Sequence, residues 1–225
     1  VTADAPHRAS VWLLDADALA DETLDSYAAW LDASERERLV RFQRPARRRQ
    51  FLGGRVLARL ALGHVLGAEP SAIRLLDRPG AAPLLASPSA PAAGFSNSHS
   101  GRWVACAVSG SSKLGLDIER IDASRDIDAL AAQAFDADRQ AWLTTRPAET
   151  RVRDFYGLWS RAEAQFKLDM PAGSVFELST PELAIVLCCG RMLDKPPALE
   201  LRTLSALPPP ACAPAPTRSR PKTSS

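Results

Sequence analysis

Between Trp103 and Glu119 the chain reads WVACAV, then SGSSK, then LGLDIE. An unbroken apolar run, a Gly/Ser turn and a second short apolar run commit this region to sheet. Their spacing predicts a β-hairpin folding about residue 111, with Asp117 and Glu119 beside Ala105 and Trp103. Alternate side chains of a strand share a face. Leu116 and Ile118 are therefore expected to face a core, while Asp117 and Glu119 project together from the other side.

Helical and strand patterns alternate around this segment. Strands are expected at Ser10–Leu14, Ile73–Leu76, Val175–Leu178, Ala184–Cys189 and Leu199–Leu204. Helices are expected at Glu22–Leu31, Ser34–Phe42, Ala46–Leu66, from Asp136 to before Pro147, and at Thr150–Leu168. Gly53 and Gly54 weaken the third of these and suggest a backbone packed closely against it. Residues 79–94 are rich in Pro, Ala, Ser and Gly and predict a loop with at most a short strand at Leu84–Leu85. From Leu207 the Pro-, Ala- and Arg-rich sequence predicts a disordered tail. Two long helices are each followed by a Pro/Ser turn and a short strand (EPSAIRL and MPAGSVFEL), which raises the possibility of two related halves.

Composition narrows the class. The 225 residues are 46% hydrophobic with a formal net charge of +2, which fits a globular protein and not a disordered chain. No apolar run approaches the roughly 20 residues of a membrane span, and Val1–Pro6 does not read as a signal peptide. The four cysteines show no CxxC spacing and two are adjacent, so neither zinc nor a disulfide framework is expected, and a cytoplasmic setting is.

Four features could carry chemistry. The Asp117–Glu119 pair supplies hard oxygens of the kind Mg²⁺ takes, although acidic pairs are also common on solvated strands. In LWSRAEAQFK, residues Val152, Phe155, Trp159, Ala162 and Phe166 trace a core stripe. At roughly 100° per residue, Glu163 and Lys167 stand about 40° and 80° from Trp159, at the border of that stripe. Their plainer reading is a surface i,i+4 ion pair. FSNSHSGRWV places Ser98 and His99 in a small polar segment that could hold an anion. Arg36, Arg38, Arg41, Arg44, Arg47, Arg48 and Arg49 form a basic run, mostly suited to a solvated helix face. Without interleaved aromatics or a zinc finger, that run does not indicate nucleic acid.

The order of these segments is more specific than any one of them. FSNSHSGRWV, GLDIER and, some forty residues on, WSRAEAQFK resemble the 4′-phosphopantetheinyl transferases. The longer monomeric kind, similar to surfactin-synthetase activators, fits best, and RRRQFLGGRVLAR resembles its first-half helix. The resemblance implies an α+β pseudo-dimer whose two similar halves meet at the active site. It implies halves at 1–105 and 106–206, before a tail at 207–225. It implies transfer of phosphopantetheine from coenzyme A to a serine of an acyl or peptidyl carrier protein, leaving 3′,5′-ADP and requiring Mg²⁺. By resemblance Asp117, Glu119 and Glu163 are the magnesium ligands, and Glu163 also deprotonates the carrier serine. Lys167 contacts the phosphates. Ser98, His99, Arg38 and Arg49 hold coenzyme A phosphates, and Met170 and Phe176 meet the carrier.

The sequence departs from the family pattern at Ala82 and Ala162, where lysines are usual, and at Ser96, Asn97 and Arg139. Arg78 could substitute for the lysine missing at Ala82. The competing readings are a metal-dependent phosphohydrolase and a non-catalytic module binding coenzyme A or carrier proteins.

Overall fold

The computed structural model describes residues 7–78 and 81–206. Nine strands are present among them: β1 (Ala9–Asp15), β2 (Arg74–Arg78), β3 (Ala81–Ser87), β4 (Gly94–Ser100), β5 (Trp103–Ser109), β6 (Leu114–Arg120), β7 (Ser174–Glu177), β8 (Leu183–Cys189) and β9 (Ala198–Arg202). The helices are α1 (Asp21–Ser26), α2 (Ala33–Val40), α3 (Pro45–Leu66), α4 (Ile127–Ala134), α5 (Ala137–Thr144) and α6 (Ala148–Leu168).

The strands form a first sheet in the order β4-β5-β1-β9, a second in the order β6-β8-β7, and a β2–β3 ribbon. The β1–β9 pair is parallel and the other pairs are antiparallel. Alternation along the strands stacks these sheets. Trp12, Leu14, Val104, Cys106 and Val108 turn toward Leu57, Ala58, Ala61 and Leu62 of α3. Val11, Leu13, Ala105 and Ala107 turn the other way, toward Leu114, Leu116, Ile118, Ile185 and Leu187 of the second sheet. The far face of that sheet, through Val186 and Cys188, meets Ala164 and Leu168 of α6. The layers therefore run α3, first sheet, second sheet, α6, an α+β architecture of two helix-backed sheets.

Local chemistry sets the helix ends. Asp32 and Glu35 close a reciprocal capping box at the start of α2. Pro45 opens α3, and Gly67, at φ 63°, ends it in the left-handed region. Asp169 takes the same conformation after α6. The related endings of the two long helices give physical form to the repeat seen in the sequence.

Four sequence expectations are corrected. WVACAV and LGLDIE do not form a hairpin. Both edges of β5 are taken by β4 and β1, so β6 crosses into the second sheet and pairs with β8. A division at 105/106 would cut β5, all of which belongs to the first sheet; the sheets part between Ser109 and Leu114. On α6 the stripe expected through Ala162 and Phe166 turns away from the core after Trp159. The buried stripe is Tyr156, Ser160, Ala164 and Leu168, and Phe166 is 80% exposed. The loop expected at 79–94 includes a full strand, β3. Helix α4 lies in a segment for which the sequence patterns specified no element. The expected tail at 207–225 lies outside the described residues.

Candidate active site

The site is built where β4, β6 and α6 converge. Gly115 governs the approach of α6. A Cβ there would collide with the Ala164 carbonyl oxygen and stand 2.6 Å from the Leu168 backbone nitrogen. Only a residue without a side chain lets the last turn of α6 lie this close to β6. That contact brings Lys167 over Asp117. The ammonium donates to Asp117 Oδ1 at 2.7 Å, to Ser98 Oγ at 3.1 Å and to the Leu116 carbonyl at 3.1 Å. The surface Glu163–Lys167 pair is thus not what forms, because Lys167 turns inward to Asp117.

Three serines of β4 join the two sheets. Ser96, Ser98 and Ser100 accept the backbone N–H groups of Leu116, Ile118 and Arg120 at 2.9, 3.3 and 2.9 Å. Two of these hydroxyls also serve the carboxylates. Ser98 Oγ donates to Asp117 Oδ1 at 3.0 Å, and Ser100 Oγ donates to Glu119 Oε2 at 2.8 Å. Asp117 is 4% exposed, and its Oδ2 has no hydrogen-bond partner among the described residues. Burial pushes the Glu119 carboxyl above its ordinary range, helped by the nearby Asp117 charge and opposed by the Ser100 bond.

A cleft of about 440 Å³ extends from this cluster along α3. Arg38, Arg47, Arg55 and Lys167 supply four cations to its lining, against one carboxylate, Asp117. Ser98, His99 and Asn97 line the same wall. His99 keeps an exposed edge, but desolvation against the cleft wall lowers its pKa, and Arg47, whose Nη1 lies 3.4 Å from His99 Nε2, lowers it further. In the cleft wall, Arg38 and Arg55 flank the Phe51 ring and both bond Asp77. Arg55 also meets Glu35, which is fully buried with Arg59 at 2.5 Å. A cationic cleft ending at Asp117 suits a polyanion carrying phosphates.

Of the expected site residues, the structure brings Ser98, Asp117 and Lys167 together, with Glu119 held beside them by Ser100. Arg38 and His99 line the cleft. Glu163 lies one turn before Lys167 on α6 and makes no hydrogen bond or ion pair among the described residues. Among those residues no three His, Cys, Asp or Glu side chains close into a ready metal cluster, so the three expected ligands do not preassemble. Arg49 lies outside the cleft, where its guanidinium bonds Asp21 and the carbonyls of Ala16 and Leu19. Arg78 donates to the Ala82 carbonyl at 2.8 Å and does not line the cleft. Asn97 donates to the Gly54 carbonyl at 3.4 Å. Phe176 packs partly buried against the core between the sheets, and Met170 is 38% exposed.

Sequence reasoning did not select Arg47 or Arg55. The signal was present: residues 47, 50, 51, 54 and 55 of α3 line the cleft, the i, i+3, i+4, i+7, i+8 face of a helix. Arg49 stands about 200° from Arg47 and cannot share that face.

The layers, the cationic cleft and the carboxylate pair define a two-half α+β protein whose cleft suits a phosphorylated ligand. Residues 113–182 match the family model described as 4′-phosphopantetheinyl transferase superfamily. Residues 20–111 match that described as 4′-phosphopantetheinyl transferase, N-terminal. The two matches meet where the sheets part. The chain belongs to the 4′-phosphopantetheinyl transferase superfamily, a family of enzymes.

Among curated relatives, 4′-phosphopantetheinyl transferase HetI of Nostoc sp. is 29% identical over 185 residues, covering 82% of this chain and 77% of the relative. A 4′-phosphopantetheinyl transferase of Bacillus subtilis is 32% identical over 143 residues, covering 64% of this chain and 62% of the relative. The Sfp protein of Bacillus subtilis (strain 168) is 29% identical over 150 residues, covering 66% and 64%. Matches to these two Bacillus relatives thus span somewhat under two thirds of their length.

Proposed function

We propose that this protein, acting as a cytoplasmic monomer of the surfactin-synthetase-activator kind, transfers phosphopantetheine from coenzyme A to a serine of an acyl or peptidyl carrier protein. Among the described residues no helix is long and apolar enough to cross a membrane. The observation that carries the reading is the junction of the cationic cleft with the Lys167–Asp117–Ser98 cluster. The cleft takes the nucleotide, with Arg38, Arg47 and Arg55 facing its phosphates. His99, its pKa lowered, is neutral near pH 7 and offers a hydrogen bond there.

The donor set fits a hard divalent cation. Asp117 Oδ2 is buried without a partner among the described residues, and partly buried Glu119 beside it carries a desolvation cost that a cation would remove. Asp117 and Glu119, joined by Glu163, would hold Mg²⁺, which supplies charge stabilisation to the pyrophosphate.

The chain's own groups do the rest. The carrier serine oxygen bonds to the phosphorus bearing the pantetheine arm as the bond from that phosphorus to the ADP oxygen breaks. Glu163, unpaired among the described residues, accepts the serine proton. Lys167 donates to the phosphate oxygens, and 3′,5′-ADP departs. Phe166 and Met170, exposed on and just after the last turn of α6, give the carrier an apolar landing near Glu163.

The test is the intact mass of an apo carrier protein after incubation with enzyme, coenzyme A and Mg²⁺. One added phosphopantetheine is expected, abolished by EDTA and by Glu163→Ala. Absence of any gain across fatty-acid and peptidyl carriers sinks the proposal.

A further inference from the structure

The three β4 serines are equivalent in one respect and different in another. Each accepts one β6 N–H, from Leu116, Ile118 or Arg120. Their second bonds follow the β6 residue just before that N–H. Ser98 meets Asp117 and Ser100 meets Glu119, whereas Ser96 stands at Gly115, which offers nothing. An accepted N–H fixes the hydroxyl oxygen and leaves its single proton to be donated. At Ser100 that proton goes to Glu119 Oε2 at 2.8 Å. Glu119 has no salt bridge among the described residues, so the Ser100 hydroxyl is the anchor that sets its direction.

We propose that Ser100 is a positioning residue, holding the Glu119 carboxylate in the orientation that receives the divalent cation. Its backbone bond to Arg120 makes that orientation a property of the joint between the two sheets. The inference rests on the metal reading above and assigns a role that the family resemblance did not give to Ser100. Outer partners of this type, which orient a ligating group without touching the metal, commonly alter affinity tenfold or more when removed.

The experiment measures Mn²⁺ binding to the purified protein, without coenzyme A or carrier, by water-proton relaxation. Ser100→Ala is expected to weaken binding about tenfold. Ser100→Thr, which keeps the hydroxyl and suits a strand, is expected to restore it. Ser96→Ala removes the equivalent joint bond with no carboxylate attached; it should lower the melting temperature and leave Mn²⁺ affinity at the wild-type value. Faster amide exchange at Arg120 in Ser100→Ala reports loss of the backbone bond in the same sample. Wild-type affinity in Ser100→Ala, or equal weakening by Ser96→Ala, overturns the proposal while leaving the metal reading intact. No Mn²⁺ binding by the wild-type protein overturns both.

Discussion

The two long helices sit on their sheets in opposite ways. Helix α3 carries Gly53 and Gly54, but a Cβ at either would meet only side chains, Leu14 at 3.5 Å and Val104 at 3.6 Å, in ordinary contact. Helix α6 carries no glycine at its closest approach; the glycine is on the strand, at Gly115, and there backbone meets backbone. The halves also differ in charge. The first turns Arg38, Arg47 and Arg55 to the cleft and backs Arg55 with buried Glu35 and both Arg38 and Arg55 with half-buried Asp77. The second offers Asp117 and Glu119 with one lysine. Similar layers thus carry opposite charge to the site, one presenting cations and the other the carboxylates.

Substitutions at corresponding places test that contrast. Gly115→Ala should have the largest effect, because α6 must shift bodily. A loss above about 4 kcal/mol, or no soluble protein, is expected. A well-folded Gly115→Ala protein in a thermal melt would refute the close approach. Glu35→Gln leaves Arg59 and Arg55 short of a buried partner and should cost about 3–5 kcal/mol in denaturant unfolding. Arg47→Ala should raise the KM for coenzyme A about tenfold, the loss of one charge-assisted contact. Arg49→Ala should instead lower the melting temperature with KM unchanged; the reverse pattern would restore Arg49 to the cleft.

Acid should reveal His99. Its folded pKa is depressed below the ordinary 6.5, so the unfolded chain binds the proton more readily. Its contribution to stability is complete above pH 6.5 and is lost as pH falls through the folded pKa. His99→Gln should flatten that part of a stability–pH curve. Glu119, with a raised pKa, acts in the opposite sense, favouring the fold at low pH and losing that contribution as pH rises through its folded value. The smallest effect is expected at Gly53→Ala, a gain of up to about 1 kcal/mol from helix propensity, read as a small rise in melting temperature.

What the sequence disclosed was what local pattern can encode. The strand through Asp117 and Glu119 alternates as read, and the SHS segment reaches the site. The hairpin failed because five intervening residues describe a turn but not which edges of β5 are already occupied. Arg49 was chosen over Arg47 by alignment of a basic run, where helical phase decides. The Glu35–Arg59 pair joins residues 24 apart, both of charged types expected in water, and no local periodicity announces it. Phe166 fell on the expected stripe by its spacing, but the core side of the last α6 turns is taken by Ser160, Ala164 and Leu168, the last two lying directly on Gly115.

The parallel pairing of β9 with β1 gives the chain an order of completion. Strand β1 is near the start of the described chain, yet one of its two edges stays unpaired until residues 198–202 have left the ribosome and docked. Throughout synthesis of everything between, Val11–Leu14 would present a hydrogen-bonding edge of apolar residues, the kind of surface that pairs with the wrong chain. The last strand is therefore a clasp: a truncation just before Ala198 would spare every residue of the site while leaving the first sheet unfinished.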